Sequence, residues 1–214
     1  MTSPTKKGLT RAGIVGTALE LLDEVGIDAV TVRALAGRLG VRASALYWHV
    51  RDKQELLDEM GTEIQRRVQA AYGTWLADRT DDDHAAELRG YAHVLRAEYL
   101  AHRDGARTFA GTRLTDIEVL RAQEPLLARW TAAGRPLAEA VAAAELVTSF
   151  VVGFVVEEQE RAQSAAVRYD LRARDTALGD DVPLVREAGR VLAGDREVRF
   201  DRHLDVLLAG LAAG

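Results

Sequence analysis

Residues 31–53 read TVRALAGRLGVRASALYWHVRDK. Val32, Leu35, Ala36 and Leu39 recur at helical spacing, which predicts a short helix from Thr31 to Leu39 with one apolar face. Gly40 follows at the position where a chain leaving a helix takes a positive φ, at least cost in a residue without Cβ. Val41 turns back toward the core, and a second helix is expected to restart near Ala43, with Leu46 and Val50 pointing inward. Tyr47, Trp48 and His49 lie between those two anchors. Two short helices joined by three or four residues make a helix-turn-helix, whose second helix enters the DNA major groove.

The flanks support the same unit. Thr10 is a candidate N-cap for a helix running to about Val25, with Ile14, Ala18, Leu22 and Val25 on one face. Gly26 ends it, and Ile27 and Val30 plug the core before Thr31. On the other side, Asp52 and Glu55 form a D-x-x-E variant of the capping box. They open a helix that runs from Lys53 to at least Tyr72, with Leu56, Leu57, Met60 and Ile64 inward. The expected organisation is all-α: a three-helix DNA-binding domain over residues 1–55 and a larger helical effector-binding and dimerisation domain over 56–214.

Within that larger part an acidic loop is expected at 78–84. Its His84 beside three Asp is no metal cluster, because consecutive side chains point in different directions. Helices are expected at 85–101, 106–121, 124–133, 136–163 and 197–211, with residues 164–183 a variable helix-loop region. The 136–163 helix contains LVTSFVVGFVV at 146–156, apolar nearly all round, so it must be covered on several sides. With Leu204, Val206, Leu207, Leu208 and Leu211 near the end of the chain, it is expected to build a four-helix interface between two copies. The alternative is packing within one chain only.

Composition sets the limits. A hydrophobic content of 48% suffices for a core, and four Pro with few aromatics fit helices throughout. The absence of Cys excludes disulfides and thiolate metal sites and is compatible with a reducing cytosol. Met1 to Thr10 has no apolar stretch of the kind a leader needs, and the apolar run 140–156 is interrupted by Glu145. A cytoplasmic protein without a membrane partner is expected. The net charge of −5 does not suggest a nucleic-acid binder until it is divided. Residues 31–53 hold five basic residues against Asp52 alone, and phosphate contact needs a local patch rather than a basic protein. DNA binding is therefore expected at the N-terminal unit only, with Arg42 among its cations. There is no G-x-S-x-G, no H-E-x-x-H, no Gly-rich phosphate loop and no Cys nucleophile, so no enzyme, cofactor or metal is expected.

The segment LTRAGIVGTALELLDEVGIDAVTVRALAGRLGVRASALYWHVRDKQELLDEM resembles the N-terminal domain of the TetR family of transcriptional repressors. The signs are T-x-R-x-L-A-x-x-L-G-V and, above all, L-Y-W-H-V-R-D-K. HRDGARTFAGTRL at 102–114 and SFVVGFVVEEQE at 149–160 extend the likeness toward the tetracycline-repressor subgroup. The resemblance implies operator contacts from Thr31, Arg33, Tyr47, Trp48, His49 and Lys53, with Arg33 on a guanine edge. Where that subgroup has Gln-Pro-Thr this chain has Ala43-Ser44-Ala45, leaving Ser44 as the one hydroxyl there and implying a different operator. The subgroup's metal-binding His falls at Phe109, which cannot ligate magnesium; its outer-sphere acid matches Glu157. The implied effector is therefore small, mostly apolar and metal-free, in a pocket expected from Gln69, Tyr91, Leu95, Phe109, Thr112, Phe150, Phe154 and Glu157. The whole reads as a ligand-responsive regulator, a repressor that binds a palindromic operator as a homodimer. An activator, or a protein-interaction module without an effector, is the alternative.

Overall fold

A computed structural model describes residues 9–79, 83–109, 111–164, 168 and 170–213, and the regular structure among them is entirely helical. The N-terminal unit is α1 (Arg11–Val25), α2 (Val32–Leu39) and α3 (Ala43–Leu46). Local signals position all three. Thr10 Oγ1 accepts from Gly13 N at 3.2 Å, and Thr31 Oγ1 accepts from Ala34 N at 3.1 Å. Gly40 sits at φ 65° and ψ 30°, in the left-handed region where glycine escapes the Cβ penalty. Ile14, Ala18, Leu22, Val30, Leu35, Leu46 and Val50 close one core, each at most 1% exposed. Val25, expected on that face, is instead 41% exposed. The second helix of the motif is a single α-turn that continues to Val50 through hydrogen-bonded turns, with Val50 N donating to Leu46 O at 2.9 Å.

α4 (Lys53–Ala77) leaves this unit and enters the rest of the molecule, five residues beyond Tyr72. Asp52 accepts from Glu55 N at 2.8 Å as expected of a cap. The reciprocal half of the box is displaced by one residue, since Glu55 accepts from Arg51 N at 2.6 Å. The rest comprises α5 (His84–Leu100), α6 (Ile117–Arg121), α7 (Glu124–Ala132), α8 (Leu137–Gln163), α9 (Leu171–Leu178), α10 (Pro183–Leu192) and α11 (Arg196–Ala213). Residues 80–82 of the acidic loop lie outside the described residues.

The expected continuous helix at 106–121 is corrected: a 3₁₀ turn at Gly105–Thr108 and α6 are separated by extended chain. Asp104 enters the turn at φ 55°, and Gly111 leaves it at φ 72°, so no α-helix can propagate through either. α10, at 183–192, was not indicated by the pattern at all.

α8 is the hub, packed on α5, α7, the 3₁₀ turn and α11. Val147, Val151 and Val155, four apart, are fully buried, while Val141 and Leu146 are each 48% exposed. By length and composition α8 could cross a membrane, yet only 28% of its apolar window is buried within the chain. One stripe is fully buried, Phe150, Val152, Phe154 and Val156 pack half-buried against the core, and Val141 and Leu146 lie open. Arg96 of α5 is the polar counterpart of this packing. Its guanidinium donates to Glu158 of α8 at 3.0 and 3.1 Å, donates to Glu197 of α11 at 2.6 and 2.8 Å, and lies 4.7 Å from the Phe200 ring.

Candidate functional site

Two sites are built on this scaffold. On the N-terminal unit, Trp48 is 91% exposed and Tyr47 55% exposed at the end of α3. Arg33, Arg42 and Ser44 are exposed as well, and His49 is half-buried. The other cations of the motif are occupied. Arg38 pairs with Glu24, Arg51 donates to Glu55 at 3.0 Å, and Lys53 Nζ donates to the carbonyls of Ile27 and Asp28 at 2.9 and 3.1 Å. Among the described residues, Arg33 and Arg42 make no ion pair or hydrogen bond, so they are the cations available to a phosphate or a base edge. Thr31 is spent on the α2 cap through its hydroxyl.

The second site is a cavity of about 410 Å³ between α4, α5, α7 and α8. Tyr72, Tyr91, Tyr99, Phe109 and Trp130 give it aromatic walls, and Leu88, Leu126, Leu127 and Val141 give it aliphatic ones. Apart from the tyrosine hydroxyls and the indole, its polar side chains are Gln65, Gln69, Gln123, Thr108, Thr112, Thr148, Ser149 and Glu145. Tyr72 and Tyr91 meet edge to face at 5.5 Å, as do Tyr99 and Phe109 at 6.3 Å. Burial pushes the phenols of Tyr72, Tyr91 and Tyr99 up, so all three stay neutral across the physiological range. Gln65 donates to the Tyr99 hydroxyl at 2.8 Å, and the Tyr91 and Thr148 hydroxyls are 3.1 Å apart. A concave, largely apolar space with a few fixed polar groups suits a small organic ligand.

Of the pocket residues expected from sequence, Gln69, Tyr91, Phe109 and Thr112 come together here. Leu95 lies behind the wall at 0% exposure. Phe150, Phe154 and Glu157 are elsewhere, in a hollow of about 390 Å³ on the α11 side of α8 with Arg161, Arg196 and Arg199. The reason is helical phase: they leave α8 on a different side from Ala140, Ala144 and Thr148, which line the main cavity. Sequence reasoning missed Gln65, Tyr72, Tyr99, Trp130 and Glu145. Glu145 did carry a signal, as a carboxylate interrupting an apolar run. Among the described residues, the lining contains no His and Glu145 is its one carboxylate, a donor set that does not fit a protein-bound divalent ion. Among the described residues, no three His, Cys, Asp or Glu side chains form a metal-sized group.

The two sites are physically joined. A Cβ on Gly61 of α4 would stand 3.0 Å from the carbonyl of Thr108 on the cavity wall, so helix and turn touch there. Thr62 Oγ1 accepts from Thr115 N at 2.9 Å, and Gln54 donates to Gly111 O at 3.2 Å. A second set of contacts runs from the 3₁₀ turn to the end of α1. Asp104 accepts from Ile27 N at 2.9 Å and from Gln163 at 3.0 Å, Asp23 accepts from Arg103 N at 2.9 Å, and Arg107 donates to Asp28 at 3.1 Å.

The chain matches the family model described as "Bacterial regulatory proteins, tetR family" over residues 14–60 and that described as "Tetracyclin repressor-like, C-terminal domain" over residues 76–214. It is 41% identical over 204 residues to the class A tetracycline repressor from transposon 1721 of Escherichia coli, covering 93% of this chain and 88% of that protein. Among solved structures, a possible TetR family transcriptional regulator from Streptomyces coelicolor A3(2) superposes with a TM-score of 0.80 at 36% identity, covering 95% of this chain and 99% of the other. The ActR protein of Streptomyces coelicolor in complex with actinorhodin gives 0.79 at 29% identity, covering 97% and 98%. The all-α architecture, the N-terminal motif and these matches lead to one conclusion: the chain belongs to the TetR family, as a ligand-responsive helix-turn-helix transcription regulator.

Proposed function

We propose that this regulator is a repressor that binds a palindromic operator as a homodimer and is released by a flat, fused-ring organic effector needing no metal. The observation that carries the reading is the cavity itself: five aromatic side chains around about 410 Å³, with glutamine, threonine and serine side chains and one carboxylate among them. Aromatic walls suit a planar ring system, and the polar groups suit its oxygen-bearing rim. Tetracycline and actinorhodin, the compounds in the names of similar proteins, share that chemistry. A ligand that displaces Phe109 or Thr112 acts on α4 through Thr108, Gly61 and Thr62, and α4 carries the helix-turn-helix at its other end. Dimerisation is assigned to the bare apolar faces of α8 and α11, where Leu146 and Val206 are 48% and 71% exposed. Arg33 reads base edges, while Arg42, Ser44, Tyr47, Trp48 and His49 hold the docking; Lys53 reaches phosphate only by leaving its carbonyls.

The test uses a duplex selected by the protein from a random pool and 1,8-dihydroxyanthraquinone as a planar probe. The probe is expected to quench the protein's aromatic emission and to weaken operator binding about tenfold or more at saturation, within the usual range of coupling between sites. Quenching with unchanged or tighter operator binding contradicts release. Absence of quenching contradicts the fused-ring class.

A further inference from the structure

Glu87 of α5 is fully buried, 0% exposed, and does not line the cavity. Its two oxygens face donors on α7: Arg129 Nε donates to Oε1 at 2.6 Å, and the Trp130 indole N–H donates to Oε2 at 3.0 Å. Both partners can only donate, so the group between them must accept on both oxygens, which a carboxylate does and an amide cannot. The same segment of α5 holds Trp130 a second way. The His84 ring stacks on the indole at 4.9 Å with planes 9° apart. Trp130 is the buried residue of α7, a helix of nine residues whose Leu126, Leu127 and Trp130 form one wall of the cavity. On the α4 side, the Tyr72 hydroxyl donates to the backbone carbonyl of Glu87 at 3.3 Å, so two walls refer to one residue.

We infer that Glu87 is a positioning residue for the effector: it fixes α7 as a wall of the cavity and sets how Trp130 meets that cavity. This rests on reading the cavity as a ligand site. With its N–H held by Glu87, and with His84 and the Arg135 guanidinium against its ring, the indole offers a ligand ring carbons and no donor. Selection by Trp130 is then by apolar contact rather than by hydrogen bonding. The carboxylate touches no ligand, and its effect passes through Trp130.

Hydrogen exchange in the unliganded protein and probe affinity together decide it. In Glu87→Gln, exchange of amides 124–132 is expected to quicken at least tenfold while α1–α3 stay protected, since a charged hydrogen bond has been replaced by a mismatched one. Affinity for 1,8-dihydroxyanthraquinone is expected to fall about tenfold, with operator affinity unchanged. Trp130→Phe removes the other side of the contact, so the double variant should be no weaker than the weaker single one. Unchanged exchange in α7, or losses that add, overturns the inference. So does loosening of α1–α4 in parallel, which marks general unfolding. Should Glu87→Gln not fold, Trp130→Phe carries the same exchange comparison. If the wild-type protein fails to bind the probe, the fused-ring reading falls alone, and α7 exchange still decides the role of Glu87.

Discussion

Replacing Arg96 by alanine is expected to destabilise the protein by about 3 kcal/mol, because it leaves a buried carboxylate without its partner. Arg96 is 5% exposed and the Glu158 side chain 10%, so the charge that remains is poorly solvated. Burial alone would disfavour the Arg96 charge, but hydrogen bonds and fields from Glu197 and Glu158 outweigh it and hold its pKa above the ordinary value. The Glu197 side chain is 69% exposed and needs no rescue. Glu197 has its pKa lowered, first by the Arg96 hydrogen bond, so its stabilisation is complete above the unfolded carboxylate pKa and is lost as pH falls through the folded one. Urea unfolding checks the main effect: a lower midpoint at unchanged slope is expected for Arg96→Ala. The double variant Arg96→Ala with Glu158→Gln should recover part of the loss, since the orphaned charge goes with it. A loss under about 1 kcal/mol would mean that water reaches Glu158 and that the α5–α8–α11 junction is held by packing alone. The functional consequence follows from position. α8 and α11 carry the exposed apolar residues to which dimerisation is assigned, and Arg96 ties both helices to α5.

Arg33→Ala is expected to cost about 1–3 kcal/mol of specific operator binding, roughly 10- to 100-fold, and to relax preference at one base pair. Arg33 is the second residue of α2, two past the N-cap Thr31, exposed and without an ion pair or hydrogen bond among the described residues. The reading helix offers little competition. Ala43 and Ala45 present methyl groups, which favour thymine contacts but accept and donate nothing, and Ser44 contributes one hydroxyl. On the proposed docking, specificity is expected to concentrate on Arg33 more than the appearance of the motif suggests. Binding measured against the selected duplex and against random DNA separates the roles. Loss on the selected duplex alone supports base reading; equal loss on both shows phosphate contact only.

The N-terminal unit was legible because its signals are local. Thr10, Thr31 and Asp52 each cap within three residues, and Gly26 and Gly40 each stop a helix with their own backbone. What failed depended on distant contacts. The break between the 3₁₀ turn and α6 requires Asp104 at positive φ, held there by the backbone of Ile27, 77 residues away. The side of α8 facing the cavity could not be read, because LVTSFVVGFVV is apolar at nearly every phase. Phe150 and Phe154 look as suitable as the Ala140–Ala144–Thr148 stripe that does line the space. Glu87 illustrates the same limit. On an amphipathic helix one glutamate among many reads as solvated, and only the arrival of α7 makes it a buried acceptor.

A ligand in the cavity is expected to change the spacing of the two helix-turn-helix units of the dimer. The chain contains no Cys, so a single nitroxide at Gly37→Cys reports that spacing directly. A side chain at Gly37 meets nothing within 4 Å and lies on the exposed face of α2. Pulsed dipolar spectroscopy on the labelled dimer should give one distance distribution on the selected operator, set by motifs about 34–36 Å apart. Saturating 1,8-dihydroxyanthraquinone should shift that distribution in the free protein away from the operator-bound value. A distribution that stays unchanged at full probe occupancy would contradict release by a change in motif spacing.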